Sequence, residues 1–392
     1  MTDLRPHVRL GRIVPRFVLA LCLLDAGMRL LPVDPWTFRG WEAAKRFRPP
    51  GAAFEPGRRY HNERAYGDLA AMGNLRERRF YRPETFTTDA LGFRTDDESG
   101  APAVAMMVGD SFTVGSGVRD RETLTAHLTR LVGRRIYNAG GIDPDPDRIR
   151  ALAQKVPLHG RLVIHEYHEH TELPDVPPEW RRRLRREIAG IDPAVGELFG
   201  RVRGFFSVSP LRILCQQAMK RLENDRLLPN PHARRVVVGR LQNGDSMLFL
   251  AAGIDRPSSP REPPVSYWRW LRRELGESGL DLLVVLVPSK FTVYEPFLAH
   301  PRPAGGAPRA YLRRVEEALQ REGIATLDLT STLTAAAAEG MARRLYLYLP
   351  DDIHWTPAGT LVAAEAVRKH LGDLREAAVD MAASATDGAS AR

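Results

Sequence analysis

Apolar and polar positions along this chain follow two periods. Short apolar-rich runs at residues 103–108, 161–167 and 280–287 predict buried strands, and shorter runs at 135–138 and 324–329 predict two more. Between them, apolar residues recur at helical spacing over 122–132, 147–156, 267–275, 310–321 and 357–371. Strands that alternate with helices predict a parallel sheet covered on both faces, an α/β fold.

Residues 176–260 interrupt this rhythm. They open on Pro177-Pro178 and the basic run Arg181 to Arg183, and continue with helical spacing. Within them, apolar runs at 235–241 and 246–251 flank Asn243-Gly244-Asp245, a hairpin signal because Asn-Gly readily supplies the positive φ of a tight turn. The expected organisation is an N-terminal segment over 1–40, a lead-in rich in Arg, Pro, Gly and aromatics over 41–100, a main domain over 101–372 with its insertion, and a disordered tail of small polar residues over 373–392.

In the N-terminal segment, Arg5, Arg9, Arg12 and Arg16 precede the apolar run 17–24, which Asp25 and Arg29 then interrupt. This matches a basic n-region and a short h-region with no small-residue cleavage site. The run is shorter than the ~20 apolar residues of a clean membrane span. Two readings stand: an uncleaved signal anchor, or an amphipathic helix on the domain or a membrane surface. The anchor reading implies membrane association through the N-terminus and an extracytoplasmic main domain.

The net charge is +9, and five of the 57 basic residues are lysine. The arginines are spread along the whole chain, with no zinc-finger spacing and no basic stripe interleaved with aromatics, so no nucleic-acid partner is expected. The two cysteines, Cys22 and Cys215, have no metal-ligand spacing.

Two short segments carry the candidate chemistry. Gly109-Asp110-Ser111-Phe112-Thr113 follows the apolar run 103–108, which sets Ser111 on a sharp turn at the carboxyl end of a strand, where open α/β sheets bind ligands. Asp351-Asp352-Ile353-His354-Trp355 precedes Pro357, a residue suited to the first position of a helix. A serine nucleophile, a histidine base and a carboxylate to orient the imidazole make a triad, with Asp351 and Asp352 both within reach of that last role. The N–H of Ser111 is a candidate oxyanion donor. Glu166, His168 and His170 share one face of the strand that runs into Glu166-Tyr167-His168-Glu169-His170, but the spacing is not that of a metal motif. Neither metal nor cofactor is expected.

These blocks resemble those of the SGNH/GDSL hydrolase superfamily, whose Gly-Asp-Ser motif follows the first strand and whose Asp-x-x-His motif lies near the end. The resemblance implies a flavodoxin-like three-layer α/β/α sandwich with Ser111, His354 and an aspartate as the triad. Asp352-Ile353-His354-Trp355, Asn243-Gly244 with Leu248-Phe249, and the segment from Val287 to Tyr294 are similar to those of alginate O-acetyltransferase-type SGNH proteins. In that type the His block precedes the Ser block, whereas here the serine comes first. The implied function is serine-dependent esterase or acyltransferase chemistry on O-acyl, chiefly O-acetyl, groups of a carbohydrate in bacterial exopolysaccharide modification, with a membrane-bound protein as a candidate acyl donor.

In the second block Asn138-Ala139-Gly140-Gly141 is followed by Asp143 where the family pattern has a glycine, so Asn138, Gly140 and Gly141 are the candidate oxyanion or substrate residues. Lys290 is a further candidate for substrate contact. No asparagine follows the third strand. These departures sustain an alternative: a catalytically degenerate fold that binds polysaccharide within an export or modification complex.

Overall fold

The computed structural model describes residues 5–30, 44–45, 48–49, 51–96, 101–142, 144–176, 209–224, 235–254, 262–300 and 310–390, with side chains of the last helix described to residue 373. Asp143, the basic run Arg181 to Arg183 and most of the insertion's first half lie outside these residues.

A five-stranded parallel sheet forms the centre. Its strands are β3 (Ala103–Gly109), β4 (Arg135–Gly140), β5 (Leu158–His168), β8 (Asp281–Val287) and β9 (Ala325–Asp328). Their spatial order is β4-β3-β5-β8-β9. The strand order reverses at β3, so a crevice opens between the carboxyl ends of β3 and β5, the position at which such sheets take ligands.

Side chains alternate across the sheet, and each set meets its own helical layer. Met106, Val108, Val163, Tyr167, Leu282, Val284 and Leu286 pack with α3 (Pro146–Ala153), α5 (Val265–Gly276) and α6 (Ala310–Arg321). Ala105, Met107, Ile164, Leu283, Val285 and Val287 pack with α2 (Leu124–Val132), α7 (Thr330–Met341) and α8 (Pro357–Ser390). The result is the three-layer α/β/α sandwich expected from the strand–helix rhythm. Each fully buried Val or Leu of these strands stabilises by about 1.5–3 kcal/mol, so the continuous apolar runs account for the central position of β3, β5 and β8.

Outside the sheet, β6 (Val236–Arg240) and β7 (Ser246–Leu250) form the hairpin expected around Asn243-Gly244. The lead-in contains a second hairpin, β1 (Arg59–Ala65) with β2 (Arg82–Thr87), which its weak alternation did not predict. Helix α7 was likewise not expected; its alanine-rich sequence forms helix on propensity with little amphipathic signature. The same propensity extends α8 past residue 371, so the tail expected to be disordered is assigned as the continuation of that helix.

At the N-terminus, α1 (Arg5–Met28) packs against α4 (Pro210–Asn224). The Asp25 carboxylate accepts hydrogen bonds from Ser209 Oγ and from the Leu211 N–H, and pairs with Arg29. Phe17, Leu19 and Leu23 of α1 are exposed. No described helix is long and apolar enough to cross a membrane.

Candidate active site

β3 is buried almost throughout and ends at Gly109. A Cβ at Gly109 would collide with Thr113 Oγ1 and Glu166 Oε2, so the strand end has room for hydrogen alone. The chain then turns into the single-turn helix Ser111–Val114, where the Asp110 carboxylate accepts from the Phe112 N–H at 2.9 Å. Ser111 is the first residue of that turn. Its N–H has no intrahelical acceptor, and no hydrogen bond engages it among the described residues.

The loop before α8 brings His354 to this serine. His354 Nε2 lies 2.7 Å from Ser111 Oγ, and His354 Nδ1 lies 2.7 Å from Asp352 Oδ1. The imidazole is buried against the Phe112 ring, with centroids 5.0 Å apart. Asp352, not Asp351, therefore meets the ring nitrogen. Asp351 turns the other way and accepts from the Gly67 and Phe80 N–H groups at 2.7 and 2.8 Å, tying the lead-in to the histidine loop. Arg82 of β2 joins the two carboxylates, with Nη1 3.1 Å from Asp351 Oδ1 and Nη2 3.2 Å from Asp352 Oδ2.

Each of the two loops rests on one buried cation. The Arg94 guanidinium donates to the carbonyls of Thr85, Val114, Gly115 and Val118 and pairs with Asp120, which holds the turn after Ser111. Lys290 Nζ lies within 2.7–3.1 Å of the carbonyls of Leu248, Leu349, Pro350 and Asp352. Burial pulls the Lys290 ammonium down to about 7, against the opposing pull of Asp352 and Asp351.

This geometry corrects several of the expected roles. Lys290 is 4% exposed and spends its protons on main-chain carbonyls, so it supports the histidine loop. The Gly140 N–H donates to Asn138 Oδ1, and the Gly141 N–H donates to the Gly109 carbonyl, each at 2.9 Å. Neither amide is free to meet an oxyanion. Asn138 Nδ2 is bound to the Thr113 carbonyl and Thr125 Oγ1, which makes Asn138 a brace of the serine turn. Gly140 is a glycine because a Cβ there would strike the Val114 backbone. Gly141 alone of these three reaches the cavity wall beside Ser111.

Residues to which motif reading gave no part in the triad complete the site. Arg82 and Arg94 come from the lead-in, Arg82 lying 269 residues from Asp351, and carry no local signal. Glu166 is buried beneath the serine turn; its Oε2 accepts from the Asp110 N–H at 3.1 Å and from Thr113 Oγ1 at 3.0 Å. Burial, then the neighbouring Asp110 carboxylate, push the Glu166 carboxyl well above the usual carboxylate range. His165 accepts from Trp268 Nε1 at 3.1 Å, and burial lowers it to about 4. Asp68, Asp352 and His354 bring three ligand-type atoms within 4.8 Å of one another. Within this group both nitrogens of His354 are engaged, by Ser111 and by Asp352.

Comparison with known proteins finds similarity chiefly in the C-terminal part of the chain. Residues 245–388 match the family described as "SGNH hydrolase-like domain, acetyltransferase AlgX". A stretch of 99 residues is 34% identical to a protein of Pseudomonas putida named "Probable alginate O-acetylase AlgJ", covering 25% of this chain and 24% of that protein. The chain thus spans about a quarter of that relative's length. One solved crystal structure aligns with 70% of this chain and 99% of its own at 15% identity, with a TM-score of 0.34, a likeness too slight to bear on the fold. Residues 245–388 are thus similar to an SGNH hydrolase-like domain over somewhat more than a third of the chain, in a fold built on a parallel five-stranded sheet.

Proposed function

We propose that this protein transfers acyl groups, chiefly acetyl, to or from the hydroxyls of a bacterial exopolysaccharide through an acyl-serine intermediate. One observation carries this reading: the unbroken chain of 2.7 Å hydrogen bonds from Ser111 Oγ through His354 to Asp352. The acetyltransferase family match and the acetylase relative support the choice of acyl group and of carbohydrate.

In this mechanism Ser111 Oγ attacks the ester carbonyl while its proton passes to His354 Nε2. Asp352 holds the other ring nitrogen protonated and stabilises the imidazolium. The Ser111 N–H, unengaged at the start of its helical turn, donates to the tetrahedral oxyanion. His354 then returns the proton to the departing alkoxide, and the acyl group remains on Ser111. A sugar hydroxyl or a water, deprotonated by His354, takes the acyl group and restores the serine. The acceptor alone separates transferase from hydrolase.

The proposal includes a membrane-associated, extracytoplasmic setting and a membrane-bound acyl-donor protein. The exposed apolar residues of α1 behind its arginines support interfacial association. A second reading is a polysaccharide-binding fold without turnover, favoured by the engagement of the Gly140 and Gly141 amides.

The test is turnover of an aryl acetate by the full chain, with and without added oligosaccharide. Ser111→Ala and His354→Ala are each expected to lower the rate by about 10³-fold or more, with folding checked by circular dichroism. Rates equal to both variants under both conditions would favour the binding fold.

A further inference from the structure

The lead-in hairpin has a face that the acyl-transfer site does not use. There Arg59 and His61 of β1 stand opposite Thr87 and Thr85 of β2. Residues two apart on a strand share one side, so these four belong to one surface. The single helical turn Asp120–Glu122 docks against β2 at this place. The Asp120 carboxylate accepts from the Thr87 N–H at 3.0 Å and from Thr87 Oγ1 at 2.7 Å. Between hairpin and turn lies a cleft of about 490 Å³. Pro83 is the one apolar residue among its described lining residues, so the wall offers nothing to an acyl chain.

The charges of this cleft are unequally matched. Its carboxylates are engaged: Asp120 pairs with Arg94 at 3.0 Å, Asp96 with Arg130 at 3.7 Å, and Glu63 meets His61 at 2.7 Å. Its arginines are not. Arg59, Arg119 and Arg121 all line the cleft, and no hydrogen bond or ion pair engages their guanidinium groups among the described residues. Their placement is fixed by the same contacts. Arg119 and Arg121 flank Asp120, and Arg59 stands opposite the Thr87 that holds Asp120. Like charges gathered round one cleft repel one another, and a bound anion offsets that repulsion.

We propose that this cleft is a second binding site, separate from Ser111, and that it takes a phosphate monoester. Near neutral pH a phosphate carries a charge of about −1.5 to −2 and three strong acceptor oxygens. Guanidinium forks match such oxygens with paired, charge-assisted N–H bonds. A carboxylate has a single charge and two oxygens to set against the same three arginines. The cleft is larger than a phosphate alone needs and lies within the range of small-molecule sites, about 300–1,000 Å³. Thr85 and Thr95 line it beside the arginines, and their hydroxyls suit a phosphate carried on a sugar. The proposal does not rest on acyl transfer at Ser111.

The experiment is isothermal titration of the full chain at neutral pH and low salt. The probes are a hexose monophosphate, inorganic phosphate, glucuronate and glucose. The hexose monophosphate is expected to saturate, with glucuronate at least about tenfold weaker and glucose not bound. Inorganic phosphate bound as tightly as the sugar phosphate would keep the site and make the free anion its ligand. Arg59→Ala and Arg121→Ala, both at exposed positions, should each weaken phosphate binding by about tenfold. Arg78→Ala removes the same charge at an exposed position that does not line the cleft, and should leave binding unchanged. Circular dichroism checks that each variant folds. Binding of glucuronate as tight as that of the phosphates, equal losses in Arg78→Ala and Arg121→Ala, or no saturable phosphate binding overturns the proposal. Ser111→Ala should leave the phosphate titration as it is, so this site and the acyl-serine reading stand or fall separately.

Discussion

Ser111 separates two unlike regions. On the histidine side the charged groups are matched: His354 by Ser111 and Asp352, the two aspartates by Arg82 and main-chain amides, and the loop carbonyls by Lys290. On the cavity side, the wall carries the carboxylates Asp110, Asp145, Glu172 and Asp175 with one lysine, Lys45, among its described residues. A proton relay has to be in position before the reaction starts, and saturating its hydrogen bonds fixes it there. A binding surface has to keep some of its capacity unspent until the ligand comes.

The largest effect is expected from breaking the saturated side at its end. Asp352→Asn keeps the shape but no longer fixes the Nδ1-protonated tautomer, and kcat for ester turnover should fall by about 10³–10⁴-fold with little change in KM. Asp351→Asn, one residue away, should act on unfolding free energy far more than on kcat, which a paired denaturation and rate measurement would reveal. Equal loss of kcat in the two variants would contradict the division of labour between them.

Next comes Lys290→Met. It leaves buried carbonyls without a donor and should lower stability by about 3 kcal/mol in urea unfolding. A rise in KM at unchanged stability would instead return Lys290 to the substrate.

On the cavity side, His165 tunes stability against pH. Its folded value is about 4 against an ordinary 6.5, so between these values the unfolded chain binds more protons. Stability from this group is therefore fully present above 6.5 and lost as pH falls toward 4, by about 3 kcal/mol in total. His165→Gln should flatten that part of the profile measured by denaturant unfolding at stepped pH. Glu166 acts with the opposite sign: its raised folded value makes stability fall as pH rises above the ordinary carboxylate range.

The smallest effect is expected from Arg82→Lys. A lysine reaches one aspartate but loses the fork that spans both, and kcat should drop by about tenfold. No change would mean that Asp352 is held by its loop alone.

The strand–helix alternation made the sandwich legible, because runs such as 280–287 leave few alternatives to a buried parallel strand. Ser111 and His354 were legible for the same reason: each follows or precedes an element whose period is clear. Asp351 and Asp352 were not separable, since a backbone rotation between adjacent residues decides which carboxylate meets the imidazole. Gly140, Gly141 and Lys290 misled because sequence shows which groups a residue has, but not whether its neighbours have already engaged them. Arg82, Arg94 and Glu166 act through contacts made only in the fold, and their local patterns are those of ordinary strand and loop residues.

The nucleophile and its base stand 243 residues apart, with most of the sheet between them. A ribosome that has delivered Ser111 must still deliver β4, β5, β8 and β9 before the imidazole exists. During synthesis, and in any chain cut short, the serine remains an ordinary alcohol. On the acyl-serine reading, reactivity is deferred until nearly the whole sandwich is present.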